Sequence, residues 1–253
     1  MGASYNSSAL KSKWTKTQWL LKSDSLRGYV PNTATFSRSS LENMLSNYAT
    51  VYFKPTGGSG GFHIVRVKKL ASGYQTQLKT TKIRHATLDA LYSYLVKRTK
   101  ERSYLLQKGI NLAKTNGNPF DIRVMVQKTN AGVWKTTGMF SKIGKPGVVA
   151  TNYNQGGKVG FVKTTLAGAG FSEGTIKQKE DELIKLGESV GRLFETHLKG
   201  ARELGLDVAL DSSGRAWILE VNTKPQFYPL KHMGDGSMYR KILSYAKQYG
   251  RYK

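Results

Sequence analysis

Alternation of apolar and polar positions with a period of two dominates the middle of the chain. TVYFK (50–54), FHIVRV (62–67) and YQTQLK (74–79) are rich in β-branched and aromatic residues and predict a small sheet. SYLLQ (103–107), FDIRVMVQK (120–128) and GVWKTTGMF (132–140) resume that character, and LDVALD (206–211) and AWILEVN (216–222) flank the turn SSGR. Helical spacing takes over elsewhere. Residues 39–48 predict a short helix opened by a Ser39–Glu42 capping box, and residues 87–101 carry Leu88, Leu91 and Leu95 on one side. A long helix is predicted from about Thr175 to Glu203, with Ile176, Leu183, Val190, Phe194, Leu198 and Ala201 on one face and Thr175 with Gln178 as its capping box. A basic helical tail, SMYRKILSYAKQYGRYK, finishes the chain. Strands and helices are mixed without regular βαβ alternation, so the predicted class is α+β with two small sheets.

Composition narrows this picture. A chain of 253 residues can bury a substantial core as one large or two small domains. No run of 18 apolar residues predicts a transmembrane helix. The stretch MGASYNSSALKSKW lacks an apolar signal core, and Asn6 stands where the myristoylation pattern wants Ser or Thr. With no cysteine, disulfides, thiolate catalysis and cysteine-based zinc sites are excluded, and a cytoplasmic protein is expected. The charge is unusual: 40 Lys and Arg against 16 Asp and Glu give +24, and residues 1–114 hold 19 of the bases but only 4 of the acids. Such a field attracts polyanions, whether nucleic acid, anionic membrane, nucleotide or acidic polypeptide.

Three clusters carry candidate chemistry. In VYFKPTGGSGGFHIVRV (51–67), Gly57, Gly58, Gly60 and Gly61 follow Lys54 at a strand end. Backbone N–H groups freed of Cβ atoms can form a concavity for oxyanions, with the lysine as a point charge; a plain flexible hairpin fits the same residues. The pattern is neither a P-loop nor a dinucleotide fingerprint. In GLDVALDSSGRAWILEVNTKP (205–225), Glu220 and Asn222 share a strand face, with Asp207 across a short hairpin. Two carboxylates and an amide suit Mg²⁺ bridging phosphates, and a buried Glu paired with Arg is the alternative. In FDIRV (120–124), Asp121 and Arg123 share a face, as a phosphate or carboxylate holder or as part of a cross-strand ion pair. His63 directly follows the glycine loop, and His85, His197 and His232 show no metal spacing.

In this order the motifs resemble the ATP-grasp superfamily, and most closely its YheC/YheD-like, endospore coat-associated family. VYFKPTGGSGGFHI is similar to the family's phosphate-binding lysine and glycine loop, and YLLQKGI (104–110) to the adenine-contacting segment. FDIRVMVQ and NYNQGG (152–157) resemble segments of RimK-type carboxylate–amine ligases, while GLDVAL and LEVNTKP resemble the metal-binding Asp and the E-x-N pair. The resemblance spans roughly residues 12–230. It implies an ATP-grasp fold of two α+β subdomains with nucleotide bound between them: 1–114, with a lid at about 50–110, and 115–253, with the metal site and basic tail. No N-terminal pre-ATP-grasp domain is evident.

The resemblance further implies that Lys54 contacts the nucleotide phosphates while Gly57, Gly58, Ser59, Gly60 and Gly61 close over them. Lys13, or Lys16 in its place, is the second nucleotide lysine, and the backbone of Gln107, Lys108, Gly109 and Ile110 faces adenine. Asp207, Glu220 and Asn222 hold Mg²⁺; Arg123, Asn152 and Lys142 face the γ-phosphate and an acylphosphate. Leu112 falls where RimK-like enzymes have a ribose-binding acid, and Lys142 and Ala150 fall near the positions of two arginines that bind transferred groups. The implied function is an ATP- and Mg²⁺-dependent carboxylate–amine ligase with an acidic or polyanionic acceptor, cytoplasmic and by resemblance spore-associated. The alternatives are a basic nucleic-acid-binding protein and a spore-structural protein that binds nucleotide without turnover.

Overall fold

Val51, Phe53, Val65, Val67 and Leu106 alternate with half-buried neighbours and are fully buried beneath two helices. In the computed structural model, which describes residues 10–58, 60–145, 147, 149 and 156–252, they form the core of a first antiparallel sheet. Its strands are β1 (Thr33–Thr35), β2 (Thr50–Pro55), β3 (Val65–Lys69), β4 (Tyr74–Leu78), β5 (Thr81–His85) and β6 (Tyr104–Lys108), in the spatial order β1-β6-β2-β3-β4-β5. Helices α2 (Arg38–Asn47) and α3 (Leu88–Val96) cover it with Leu41, Leu45, Leu91 and Leu95. The predicted strand 62–67 starts only at Val65, because Phe62–Ile64 belong to the loop, where His63 has φ 63°. Helix α2 is capped by Ser37, whose hydroxyl accepts from the Ser40 N–H, and not by Ser39: in a run of serines the hydroxyl with the extended backbone takes the cap.

The second sheet contains β7 (Lys114–Thr115), β8 (Asn118–Lys128), β9 (Trp134–Ile143), β10 (Lys158–Gly160), β11 (Glu203–Leu210) and β12 (Ala216–Asn222). Its order is β10-β9-β8-β11-β12, with β7 paired to β8. The two faces separate by parity. Phe120, Ile122, Val124 and Val126 of β8, with Leu204, Leu206, Val208 and Leu210 of β11, pack under α1 (Lys13–Lys22), α4 (Val162–Gly168) and α5 (Glu173–His197). Burying each such side chain contributes about 1.5–3 kcal/mol. Helix α5 lies close because Gly187 and Gly191 face the strands: a Cβ there would meet Val126 at 2.9 Å and the Trp134 ring at 2.7 Å. Ser172, not Thr175, caps this helix by accepting from the Thr175 N–H at 3.3 Å. Helix α1 packs here too, with Trp19 edge-on to Phe194 and stacked on His197.

On the opposite face, Met125 and Phe140 pack against Phe227, Leu230 and Ile242, the last from α6 (Ser237–Gln248). Beyond α6, Arg251 pairs with both oxygens of Glu203 at 2.6 Å, and the Tyr249 hydroxyl donates to Glu203 at 2.7 Å. This satisfied carboxylate lets β11 begin at Glu203, a residue the periodicity assigns to the preceding helix. Thus α6 closes one end of the odd-numbered face and leaves the other end, around Asp121 and Asp207, as a cavity floor. Among the described residues no helix is long and apolar enough to cross a membrane.

Candidate active site

Strand register assembles a charged row on that open end. Asp121 stands opposite Lys142 across β8 and β9, Arg123 opposite Asp207 across β8 and β11, and Asp207 opposite Glu220 across β11 and β12. The Lys142 ammonium bridges Asp121 (2.7 Å) and Asp207 (3.0 Å). Arg123 clamps Asp207 with Nε and Nη2 at 2.6 and 3.2 Å, and its Nη1 donates to the Gln226 carbonyl. Asn222 donates at 3.3 Å to Asp207 Oδ2, the oxygen that Arg123 Nη2 also reaches. Burial alone would raise the Asp207 carboxyl; Arg123 and Lys142 overcome it and hold that carboxyl well below the usual carboxylate range. Burial would likewise lower the Lys142 ammonium, and Asp121 with Asp207 raise it instead. Gly205 makes room for the clamp, since a Cβ there would meet Pro225 at 2.5 Å and the Arg123 stem at 3.1 Å.

The facing wall comes from the first sheet and the glycine loop. The Lys13 backbone N–H donates to the Thr56 carbonyl (2.7 Å), its ammonium donates to the Gly58 carbonyl (2.7 Å), and the same ammonium pairs with Glu220 at 3.2 Å. One lysine therefore ties the loop to the second sheet. Lys54, half-buried on β2, donates to the Gln107 side-chain oxygen at 2.6 Å and lies over the Tyr52 ring. Desolvation by burial, with Glu220 countering only in part, lowers its ammonium to about 8. Gly60 has φ 76°, and the Phe62 ring folds back to 2.8 Å from where its Cβ would stand.

Two cavities meet between these walls. The larger, about 470 Å³, is lined by Lys13, Gly57, Gly58, Gly60 and Gly61 on one side. Arg123, Lys142, Asp207, Glu220 and Asn222 line the other. The smaller, about 110 Å³, is lined by Lys54, Gln107 and Ile110 together with Tyr52, Leu112 and Leu219. Lys13, Ile64, Lys142, Asp207 and Glu220 line both and mark their junction. Lys108 and Gly109 line neither. Their N–H groups already donate to the Asn32 and Thr50 carbonyls, and the Lys108 ammonium lies over the Tyr48 and Trp217 rings. Lys16 is buried and lines neither cavity. Ser59, Asn152 and Ala150 lie outside the described residues. Sequence reasoning missed Gly205, Phe62, Arg102, Lys224 and Tyr228; the last four join the lining of the larger cavity, and no local pattern marks them.

Magnesium takes oxygen ligands from one or two carboxylates and leaves its other positions to water and phosphate. Asp207 and Glu220, adjacent across two strands, with Asn222 two residues on, fit that donor type. Asp207 already accepts from Arg123, Lys142 and Asn222, so ligation would require it to exchange one of these partners.

The chain resembles two endospore coat-associated proteins of Bacillus subtilis (strain 168). It is 25% identical to YheD over 245 residues, covering 92% of this chain and 53% of YheD. It is 26% identical to YheC over 225 residues, covering 85% and 60%. It therefore spans little more than half the length of these relatives. A crystal structure of N5-carboxyaminoimidazole synthase from Aspergillus clavatus, in complex with ADP and 5-aminoimidazole ribonucleotide, matches with a TM-score of 0.52 at 13% identity, over 86% of this chain and 45% of that one. That likeness shows the fold. The sequence pattern of one family matches residues 3–252, nearly the whole length. With two antiparallel sheets facing each other across a cavity and a match of that extent, the chain belongs to the YheC/D like ATP-grasp family.

Proposed function

We propose that the chain is an ATP-dependent carboxylate–amine ligase. The observation that carries this reading is one cavity with two complementary walls: an Asp207–Glu220–Asn222 oxygen set on the second sheet, and Lys13 with the glycine loop facing it. Phosphoryl transfer needs positioning and charge neutralisation more than covalent help, and such walls supply both. Asp207, Glu220 and Asn222 would hold Mg²⁺, which supplies charge neutralisation to the phosphates. Lys54 and Lys13 bind the polyphosphate, with adenine in the smaller cavity between Ile110 and Leu219. Arg123 and Lys142 are aimed by Asp207 and Asp121 and orient the transferred group.

In the reaction, a substrate carboxylate oxygen attacks the γ-phosphorus, the bond to ADP breaks, and an acylphosphate forms. A neutral amine then attacks the acyl carbon, phosphate leaves, and the amine proton is lost to solvent. The +24 charge supports an anionic acceptor. Incubation with ATP, Mg²⁺ and a panel of carboxylates and amines, scored for ADP and phosphate, tests this. Transfer of ¹⁸O from labelled carboxylate to phosphate marks the acylphosphate, and ADP formation without dependence on any carboxylate contradicts it. A polyanion-binding role rests on the charge alone; its sign is oligonucleotide affinity that falls steeply with salt and ignores ATP.

A further inference from the structure

Resting on the ligase reading, the composition of the larger cavity points to the second substrate. Both of its carboxylates, Asp207 and Glu220, sit at the junction with the smaller cavity. Among the described residues the lining beyond that junction contains no carboxylate. It carries three cations, Arg102, Arg123 and Lys224. Arg123 is committed to Asp207 by its two-point clamp. Arg102 has only a loose, exposed contact with Glu101 at 3.7 Å, and Lys224 has no ion pair among the described residues. Two large aromatic rings join them: Phe62 from the glycine loop, 48% exposed, and Tyr228 after β12, 50% exposed. Half-exposed aromatic rings that line a concave site offer it apolar surface. Gly60 contributes to the arrangement, because only a residue without Cβ leaves the space that the Phe62 ring takes.

We propose that this outer part seats the amine substrate, and that the substrate is a free α-amino acid with an aromatic or large apolar side chain. Its carboxylate lies on Arg102 and Lys224, its side chain packs between Phe62 and Tyr228, and its amine reaches inward toward the Asp207 end. The size of the cavity agrees: about 470 Å³, part of it given to phosphates, leaves room for a small molecule. The overall charge of +24 would favour a polyanion, but among the described residues only Arg102 and Lys224 in the outer lining are not clamped by a carboxylate of the cavity, and they share the space with rings and with Pro225 and Pro229.

Calorimetric titration tests this with the unaltered chain preloaded with Mg²⁺ and the non-hydrolysable analogue AMP-PNP. Phenylalanine is expected to bind at least about tenfold more tightly than phenethylamine, which lacks the carboxylate, the scale of one charge-assisted hydrogen bond. It is also expected to bind at least about tenfold more tightly than glycine, which lacks the ring. Arg102→Gln or Lys224→Gln should erase the first preference, and Tyr228→Ala the second, with AMP-PNP affinity unchanged within about twofold, well under the tenfold scale of a lost charged contact. Tighter binding of triglutamate or of an oligonucleotide than of phenylalanine overturns the proposal, as do preferences that survive these substitutions. If AMP-PNP binds and phenylalanine does not, this inference alone fails; if AMP-PNP does not bind, the ATP-site reading fails and takes this one with it. Should a variant misfold, the three-ligand comparison in the unaltered chain decides.

Discussion

Lys54 and Lys142 line the same smaller cavity, and their ammonium groups are shifted in opposite directions. Lys142, on the second sheet, stands between Asp121 and Asp207, and its ammonium is held above the ordinary lysine value. Lys54, on the first sheet, has an amide oxygen for a partner, and burial takes it down to about 8. The second sheet therefore arrives with its charges already paired, a rigid floor whose geometry is set by cross-strand register. The first sheet supplies a cation short of a counter-charge, which an incoming anion would satisfy. An ATP site built this way has one half that defines position and another that gains from occupancy.

Breaking the floor should have the largest effect on stability. Asp207→Asn leaves Arg123 and Lys142 without their shared carboxylate, and urea unfolding should show a loss of about 3 kcal/mol or more; a loss under about 1 kcal/mol means the row is not interdependent. The opposite is expected at the facing wall. Lys54→Met should leave the unfolding free energy at pH 7 unchanged or higher, because a costly charge is removed, while AMP-PNP affinity falls about tenfold or more. A large loss of stability in that variant contradicts the contrast.

The same contrast has a pH signature. The lowered Lys54 ammonium loses its proton as pH rises through about 8, and the charged form is the one that attracts phosphate, so nucleotide affinity should decline above that pH. Between about 8 and the ordinary lysine value of 10.5 the unfolded chain binds more protons than the folded one, so this residue's contribution to stability grows as pH rises there. Lys54→Arg, charged throughout, should flatten the affinity profile, measured by titration from pH 7 to 9.5. The smallest effect is expected in the loop. Gly60→Ala meets both a positive φ and the Phe62 ring, and should cost about 1 kcal/mol in thermal unfolding.

Much of the site is legible in the sequence because strand periodicity is short-range. Spacing of two is enough to put Glu220 beside Asn222 and Asp121 beside Arg123. It does not say which strand lies next door. That Asp121 meets Lys142 and Arg123 meets Asp207 follows from register across β8, β9 and β11, including a bulge after Met125, none of which is encoded locally. Helix α1 was hidden because KWTKTQWLLK has no clear apolar stripe; it is held by Trp19 and Leu20 packing on α5 and the second sheet. Glu203 read as the end of a helix because its partner Arg251 is 48 residues away. Gly205 showed no signal either, since its need for space arises from Pro225 on another strand's exit.

The central claim, that nucleotide and metal meet between the two sheets, is tested most directly by titrating AMP-PNP with Mg²⁺ into the unaltered chain and into Glu220→Gln. Glu220 sits at the junction of both cavities and holds Lys13 toward the glycine loop. Saturable binding to the unaltered chain, weakened about tenfold or more by the substitution and by omission of Mg²⁺, is the expected result. Equal affinity in the variant, or binding indifferent to Mg²⁺, would contradict it.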